Sequence, residues 1–178
     1  MGECPDLMDE KAVAESIQRV KNLFGSVDIL VNNAGLGYFD LAENILEEHI
    51  HEMIDINLKG TIFCTQQVLP TMKEKQAGSI INIISTAGVE GKVDESVYCA
   101  SKFGVQGFTE SLLKEVVDTN VHVHGIYMGG MNTHFWGDEL ADQNETGLMD
   151  PDDVADIVIL NTQERSNMNI PKIIIKNH

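Results

Sequence analysis

Basic residues are scarce in this chain: 12 Lys and Arg stand against 28 Asp and Glu over 178 residues, a formal net charge of −16. A surface this acidic repels phosphate backbones and anionic lipid, which excludes nucleic-acid binding and membrane-surface binding as a main activity. No apolar run is long enough to span a bilayer. The first ten residues hold acidic groups where a secretory leader needs a basic stretch and then a continuous apolar one. The expected location is therefore cytoplasmic. Cysteine is also rare. Cys4, Cys64 and Cys99 are odd in number and form no C-x-x-C, which argues against a disulfide framework and a structural zinc site and leaves reduced, mostly buried thiols. Internal repeats and low-complexity linkers are absent too, so residues 1–178 read as one soluble globular domain.

What is present is an alternation of helical and strand patterns. Asp9 can cap a helix with apolar residues at Val13, Ile17, Val20 and Phe24, and Gly25 stands where its left-handed end is wanted. Val27–Val31 is a short apolar run ending in Asn-Asn-Ala-Gly and reads as a buried strand. Helical spacing returns from Asn44 to Lys75, as two helices or one bent helix, with Pro70 expected to kink or end a turn. Ser79–Ser85, Val121–Met128 and Ile170–Lys176 are the further strands, separated by helices over Val97–Val117 and Pro151–Leu160. Strands alternating with helices predict an α/β fold, a parallel sheet covered on both faces. Asp138–Asp156 differs in composition, with eight acidic residues and no Lys or Arg, and is expected to form a solvated flap over the substrate.

The chemistry-bearing motif is Tyr98-Cys99-Ala100-Ser101-Lys102. Tyrosine and lysine four apart at the start of a helix share a face, so the ammonium can sit beside the phenol. A tyrosine with a pKa of about 10 is a poor proton shuttle at neutral pH, and a neighbouring positive charge favours its phenolate. The pair can then act as a general acid or base. On its own, Y-x-x-x-K recurs by chance in many helices. Here Ser85 ends a predicted strand thirteen residues earlier, and the Asn32–Gly35 turn emerges at the same carboxyl edge of the sheet, where ligands bind in open α/β folds. Asn57 lies in DINLKG between two apolar helical stretches. His122 and His124 share one face of a strand without a third metal ligand at suitable spacing, and His51-Glu52 lacks the second histidine of H-E-x-x-H, so no metal site is expected.

Taken together, DILVNNAG, NLKG, GSIINIISTAG, YCASKFGV and GGMNT resemble the short-chain dehydrogenase/reductase family in order and spacing, from its third strand to its last. The resemblance implies a Rossmann-like doubly wound parallel sheet, incomplete at its N-terminal half. It also implies an oxidoreductase that interconverts a carbonyl and a secondary alcohol, with NAD or NADP as the cofactor, the two not being distinguishable here. By the same resemblance Tyr98 exchanges the proton with the reacting oxygen, Ser85 hydrogen-bonds that oxygen, Lys102 lowers the tyrosine pKa and holds the nicotinamide ribose, and Asn57 holds a water linking Lys102 to solvent. Gly129 and Thr133 would lie at the nicotinamide, Asn32, Ala34 and Gly35 would form the floor near the adenosine ribose, and Asp6 would reach the adenine. The partners implied are a small-molecule carbonyl or alcohol and further copies of the chain, since two helical stretches resemble the family's oligomerising pair.

Two departures stand out. Met128 replaces the family's proline before Gly129, and the glycine-rich T-G-x-x-x-G-x-G turn is absent from these 178 residues. That turn brings backbone N–H groups and a helix N-terminus to the cofactor pyrophosphate, so this chain alone is expected to hold the cofactor weakly. Two strand–helix units of about 30 residues each would account for the shortfall. A competing expectation is a non-catalytic piece of the family that serves as an oligomerisation partner. A nucleotide-sugar epimerase or dehydratase also uses Y-x-x-x-K, but needs a larger C-terminal region than this chain has after Lys102.

Overall fold

The computed structural model describes residues 5–136, 147–165 and 168–178. The first element, α1 (Glu10–Phe24), begins where the Asp9 carboxylate accepts hydrogen bonds from the N–H groups of Lys11 at 2.8 Å and Ala12 at 3.3 Å. It ends at Gly25, whose φ of +86° suits a residue without a Cβ. Strand β1 (Ile29–Asn32) is shorter than the apolar run that announces it, starting two residues later.

From Glu47 the chain stays helical to Lys75 without a break. Helix α2 (Glu47–Glu52) passes into a π-helical segment (Met53–Gly60) and then into α3 (Thr61–Lys75). Pro70 lies inside α3, which continues past it and stops only at Gln76, a left-handed residue with φ +54°. Next come β2 (Gly78–Ile83), a 3₁₀ turn at Thr86–Gly88, and α4 (Ser96–Glu115). Strand β3 (Val121–Met128) is followed by a second 3₁₀ turn at His134–Trp136, then α5 (Pro151–Thr162) and β4 (Lys172–Ile175).

The four strands are parallel and lie in the order β1-β2-β3-β4. Alternation along β2 sends Ile80 to one face and Ile81 to the other. Ile80 packs with Val68 and Met72 of α3 and with Leu112 of α4. Ile81 packs with Ile126 and Met128 of β3 and with Val154 and Val158 of α5. At β1 only one face is covered: Leu30 joins the α3 side, while Ile29 and Val31 are 62% and 51% exposed. The sheet is thus doubly wound over its centre and incomplete at the β1 edge, whose outer N–H and C=O groups have no strand beside them among the described residues.

Of the segment expected to form an acidic flap, residues 138–146 lie outside the described residues and Pro151–Asp156 are the first turns of α5. Asp150 caps that helix through the Asp152 N–H at 2.8 Å. Cys64 is half-buried and Cys99 buried, and Cys4 falls outside the described residues. The His124 ring is buried with Nδ1 at 2.9 Å from the Ile170 carbonyl, and no group of three metal-ligating side chains occurs among the described residues. No helix of the described residues is long and apolar enough to cross a membrane.

Candidate active site

Three loops leave the carboxyl ends of β1, β2 and β3 on the same side of the sheet, and they enclose a cavity of about 550 Å³. Gly35 reaches it from the loop after β1, Ser85 from the end of β2, Tyr98 and Lys102 from the first turns of α4, and Gly129 and Thr133 from the loop after β3. A parallel sheet has this property by construction, because every strand delivers its following loop to one edge.

Among the described residues Lys102 is the most deeply placed charge, at 4% exposure. Its Nζ donates to the Ile83 carbonyl at 3.2 Å and stands 5.8 Å from the centroid of the Tyr98 ring. Burial lowers this ammonium from 10.5 to about 8. Tyr98 is 7% exposed, and burial pushes its phenol up to about 12. The hydrogen-bonding Ser85 side chain acts in the opposite direction, whereas Glu95 and Cys99 add to the rise. At neutral pH the site therefore presents a protonated phenol beside a buried cation.

Asn57 occupies the π-helical segment and spends its whole carboxamide on positioning. Oδ1 accepts from the Leu36 N–H at 2.8 Å, while Nδ2 donates to the Leu36 carbonyl at 2.8 Å and to Ser101 Oγ at 3.0 Å. Ser101 in turn donates to the Tyr98 carbonyl at 2.8 Å. One side chain thereby ties the β1 loop to the turn of α4 that carries the tyrosine. A π-helical turn widens the ring of backbone bonds and is often found where a side chain must be aimed at a site. Both donors of the Asn57 amide are thus taken by protein groups. Gly35 closes the arrangement: a Cβ on it would lie 3.3 Å from both Asn57 Oδ1 and Lys102 Nζ.

Three residues expected at the adenosine end of the cofactor do not line this cavity. Asn32 is buried between strand and helix, with Nδ2 bonded to Thr65 Oγ1 at 3.2 Å and Asn82 Oδ1 at 2.8 Å, and does not line the cavity. Asp6 is exposed and turns its carboxylate onto the Met8 N–H at 2.9 Å. Ala34 sits between two lining residues, Asn33 and Gly35, without lining the cavity itself. Sequence reasoning missed Phe39, Phe135, Trp136, Lys92 and Glu95, all of which line it.

A family model described as short chain dehydrogenase matches residues 2–144. The chain belongs to that family. Over 171 residues this short-chain dehydrogenase is 35% identical to an uncharacterized oxidoreductase of Staphylococcus saprophyticus, covering 96% of this chain and 72% of that one. It is 31% identical over 171 residues to the sepiapterin reductase of Chlorobaculum tepidum, covering 96% and 70% of the two chains. Among solved structures, an alcohol dehydrogenase of the archaeon Thermococcus sibiricus, complexed with 5-hydroxy-NADP, superposes with a TM-score of 0.88 at 26% identity, covering 96% of this chain and 71% of that one. The closed form of a serine dehydrogenase complexed with NADP+ gives 0.86 at 34% identity, with 96% and 73% covered. This short-chain dehydrogenase is shorter than the relatives it matches, spanning 72% and 70% of the two curated ones.

Proposed function

We propose that this short-chain dehydrogenase interconverts a carbonyl and a secondary alcohol, with Tyr98 as the proton donor or acceptor. The observation that carries the reading is the convergence of Tyr98, Lys102 and Ser85 on one cavity, with the phenol held in its protonated form by burial. In the direction of reduction, the carbonyl oxygen lies against the Tyr98 and Ser85 hydroxyls. As charge develops on that oxygen, Tyr98 Oη gives up its proton, and the buried Lys102 ammonium favours the phenolate left behind. Ser85 donates a second hydrogen bond to the same oxygen and stabilises it during the transfer. Asn57 is a positioning residue, holding the β1 loop and the tyrosine turn at fixed separation.

The residues present fit the nicotinamide half of NAD or NADP. Gly35 and Gly129 line the cavity with backbone alone, Lys102 offers a buried donor, and Thr133 supplies a hydroxyl at the cavity wall. A cofactor bound there supplies the hydride. The pyrophosphate finds no glycine-rich turn in the sequence, so kinetic tests belong on a form of the chain preceded by strand–helix units carrying that turn.

In that form, Ser85→Ala is expected to lower kcat/KM for ketone reduction by about 10²-fold, the usual loss when one donor to a developing oxyanion is removed. Steady-state reduction followed by cofactor absorbance measures this. Activity within threefold of the parent would place the reacting oxygen away from Ser85 and remove the reading.

A further inference from the structure

Two aromatic side chains from two distant loops meet the Tyr98 ring, and a third, Trp136, packs on both of them. Phe39 meets Tyr98 edge-on at 5.6 Å between centroids, and Phe135 lies 5.8 Å from Tyr98 and 6.0 Å from Phe39. Trp136 is 5.8 Å from Phe39 and 5.2 Å from Phe135, so the rings form a continuous wall. The wall is built rather than collapsed. The Phe39 ring folds back over Gly37, where a Cβ would stand 2.6 Å from its Cζ and 3.0 Å from Cζ of Phe135. The Trp136 ring lies over Gly130, at 3.3 Å from a Cβ placed there, and its indole N–H donates to the Met131 carbonyl at 3.0 Å. The Asp40 N–H bonds to the Asp94 carbonyl at 2.9 Å, fixing the Phe39 loop to the loop that leads into α4.

None of these three rings is fully buried, although Phe135 packs against the buried cluster of Met53, Ala87, Tyr98 and Cys99. Phe39 is 38% exposed, and Phe135 and Trp136 are half-buried, with all three facing the cavity. A cavity of about 550 Å³ is in the range that takes a small organic molecule. Apolar walls accept any hydrocarbon, but edge-on and offset ring contacts reward a flat aromatic group beyond its buried area.

We propose that Phe39, Phe135 and Trp136 select a substrate whose carbonyl or carbinol carbon bears a planar aromatic group. The placement beside the Tyr98 hydroxyl rests on the carbonyl–alcohol reading above, whereas the selection of the aromatic group rests on the wall alone. Stacking on one or two rings is worth roughly a tenfold advantage over a saturated group of the same shape.

Binding to the 178-residue chain tests this without cofactor or turnover. Trp136 is the single tryptophan, so its indole N–H gives one resolved resonance in a nitrogen–proton correlation spectrum. Titration with acetophenone and with cyclohexyl methyl ketone, which share a skeleton and differ in the aromaticity of the ring, is followed at that resonance. The expected result is a dissociation constant about tenfold lower for acetophenone, falling to within twofold of the saturated ketone in Phe39→Leu and restored in Phe39→Tyr. Equal affinities for the two ketones, no shift of the indole resonance, or a preference unchanged by Phe39→Leu would overturn the proposal. The remaining peaks of each spectrum report whether the variant is folded. Because no proton or hydride moves, failure here leaves the oxidoreductase reading standing, and failure of Ser85→Ala to slow reduction leaves this preference to be measured.

Discussion

Tyr98→Phe is expected to lower turnover by a factor of about 10²–10⁴, the range over which a positioned general acid contributes. The substitution removes one hydroxyl and leaves the ring. That ring's contacts with Phe39 and Phe135 persist, so packing of the buried side chain is retained. The hydroxyl interacts with Ser85, and losing a single such bond changes stability by about 1 kcal/mol. The proton is different: Lys102 is held at the Ile83 carbonyl, and a Ser85 hydroxyl has too high a pKa to take over as donor. Initial-rate measurements on parent and variant, in the form carrying the glycine-rich turn, give the ratio, and thermal melts confirm equal folding. Reduction within threefold of the parent would exclude Tyr98 as the acid.

Lys102→Met should make the fold more stable while abolishing the pH dependence that the lysine imposes. Holding an ammonium where burial lowers it from 10.5 to about 8 costs about 3 kcal/mol at pH 7. Methionine has a similar length and no charge, so it relieves that cost and forfeits one hydrogen bond to Ile83, worth about 1 kcal/mol. The net gain is about 2 kcal/mol, or roughly 4–8 °C in Tm for a domain of this size. The sign with pH follows from the direction of the shift. Below about 8 the lysine is charged in both folded and unfolded chains and the full penalty applies. Between about 8 and 10.5 the unfolded chain binds more protons than the folded one, so the stability of the parent rises with pH and the advantage of methionine shrinks. Thermal unfolding of both proteins at pH 7 and pH 10 measures it. A variant less stable than the parent at pH 7 would mean that Lys102 contributes to the fold rather than being held against its cost.

The parts of this structure that are legible in the sequence are those set by local rules. Val121–Met128 is a strand with the predicted bounds because its β-branched residues alternate between two cores, and Asp9 starts α1 because its carboxylate meets the first free N–H groups. The Tyr98–Lys102 pair is legible because a helix fixes which residues share a face. The π-helical segment is not. Its apolar positions keep helical spacing on both sides, and what sustains it is tertiary: Asn57 bonded to Leu36 and Ser101. Pro70, expected to kink the helix or end a turn, does not end it: α3 runs through, with Val68 and Met72 packed in the core on either side. The aromatic wall is the least legible feature, since Phe39 and Trp136 meet only after three strands have paired, and neither sits in a periodic pattern. Asn32 shows a tertiary role that its motif does not announce. Its place in Asn-Asn-Ala-Gly points to a ligand, whereas the alternation of β1 turns its side chain inward to Thr65 and Asn82.

The central claim is that this cavity moves a hydride and a proton onto one carbonyl, and isotope transfer tests it most directly. The form carrying the glycine-rich turn is incubated with NADPH or NADH dideuterated at the nicotinamide C4 and with acetophenone or cyclohexyl methyl ketone, and the alcohol is analysed by mass spectrometry. The account predicts one deuterium on the carbinol carbon of the product, formed at a rate that collapses in Tyr98→Phe. Alcohol without deuterium, or deuterated alcohol formed equally fast without the Tyr98 hydroxyl, would contradict it.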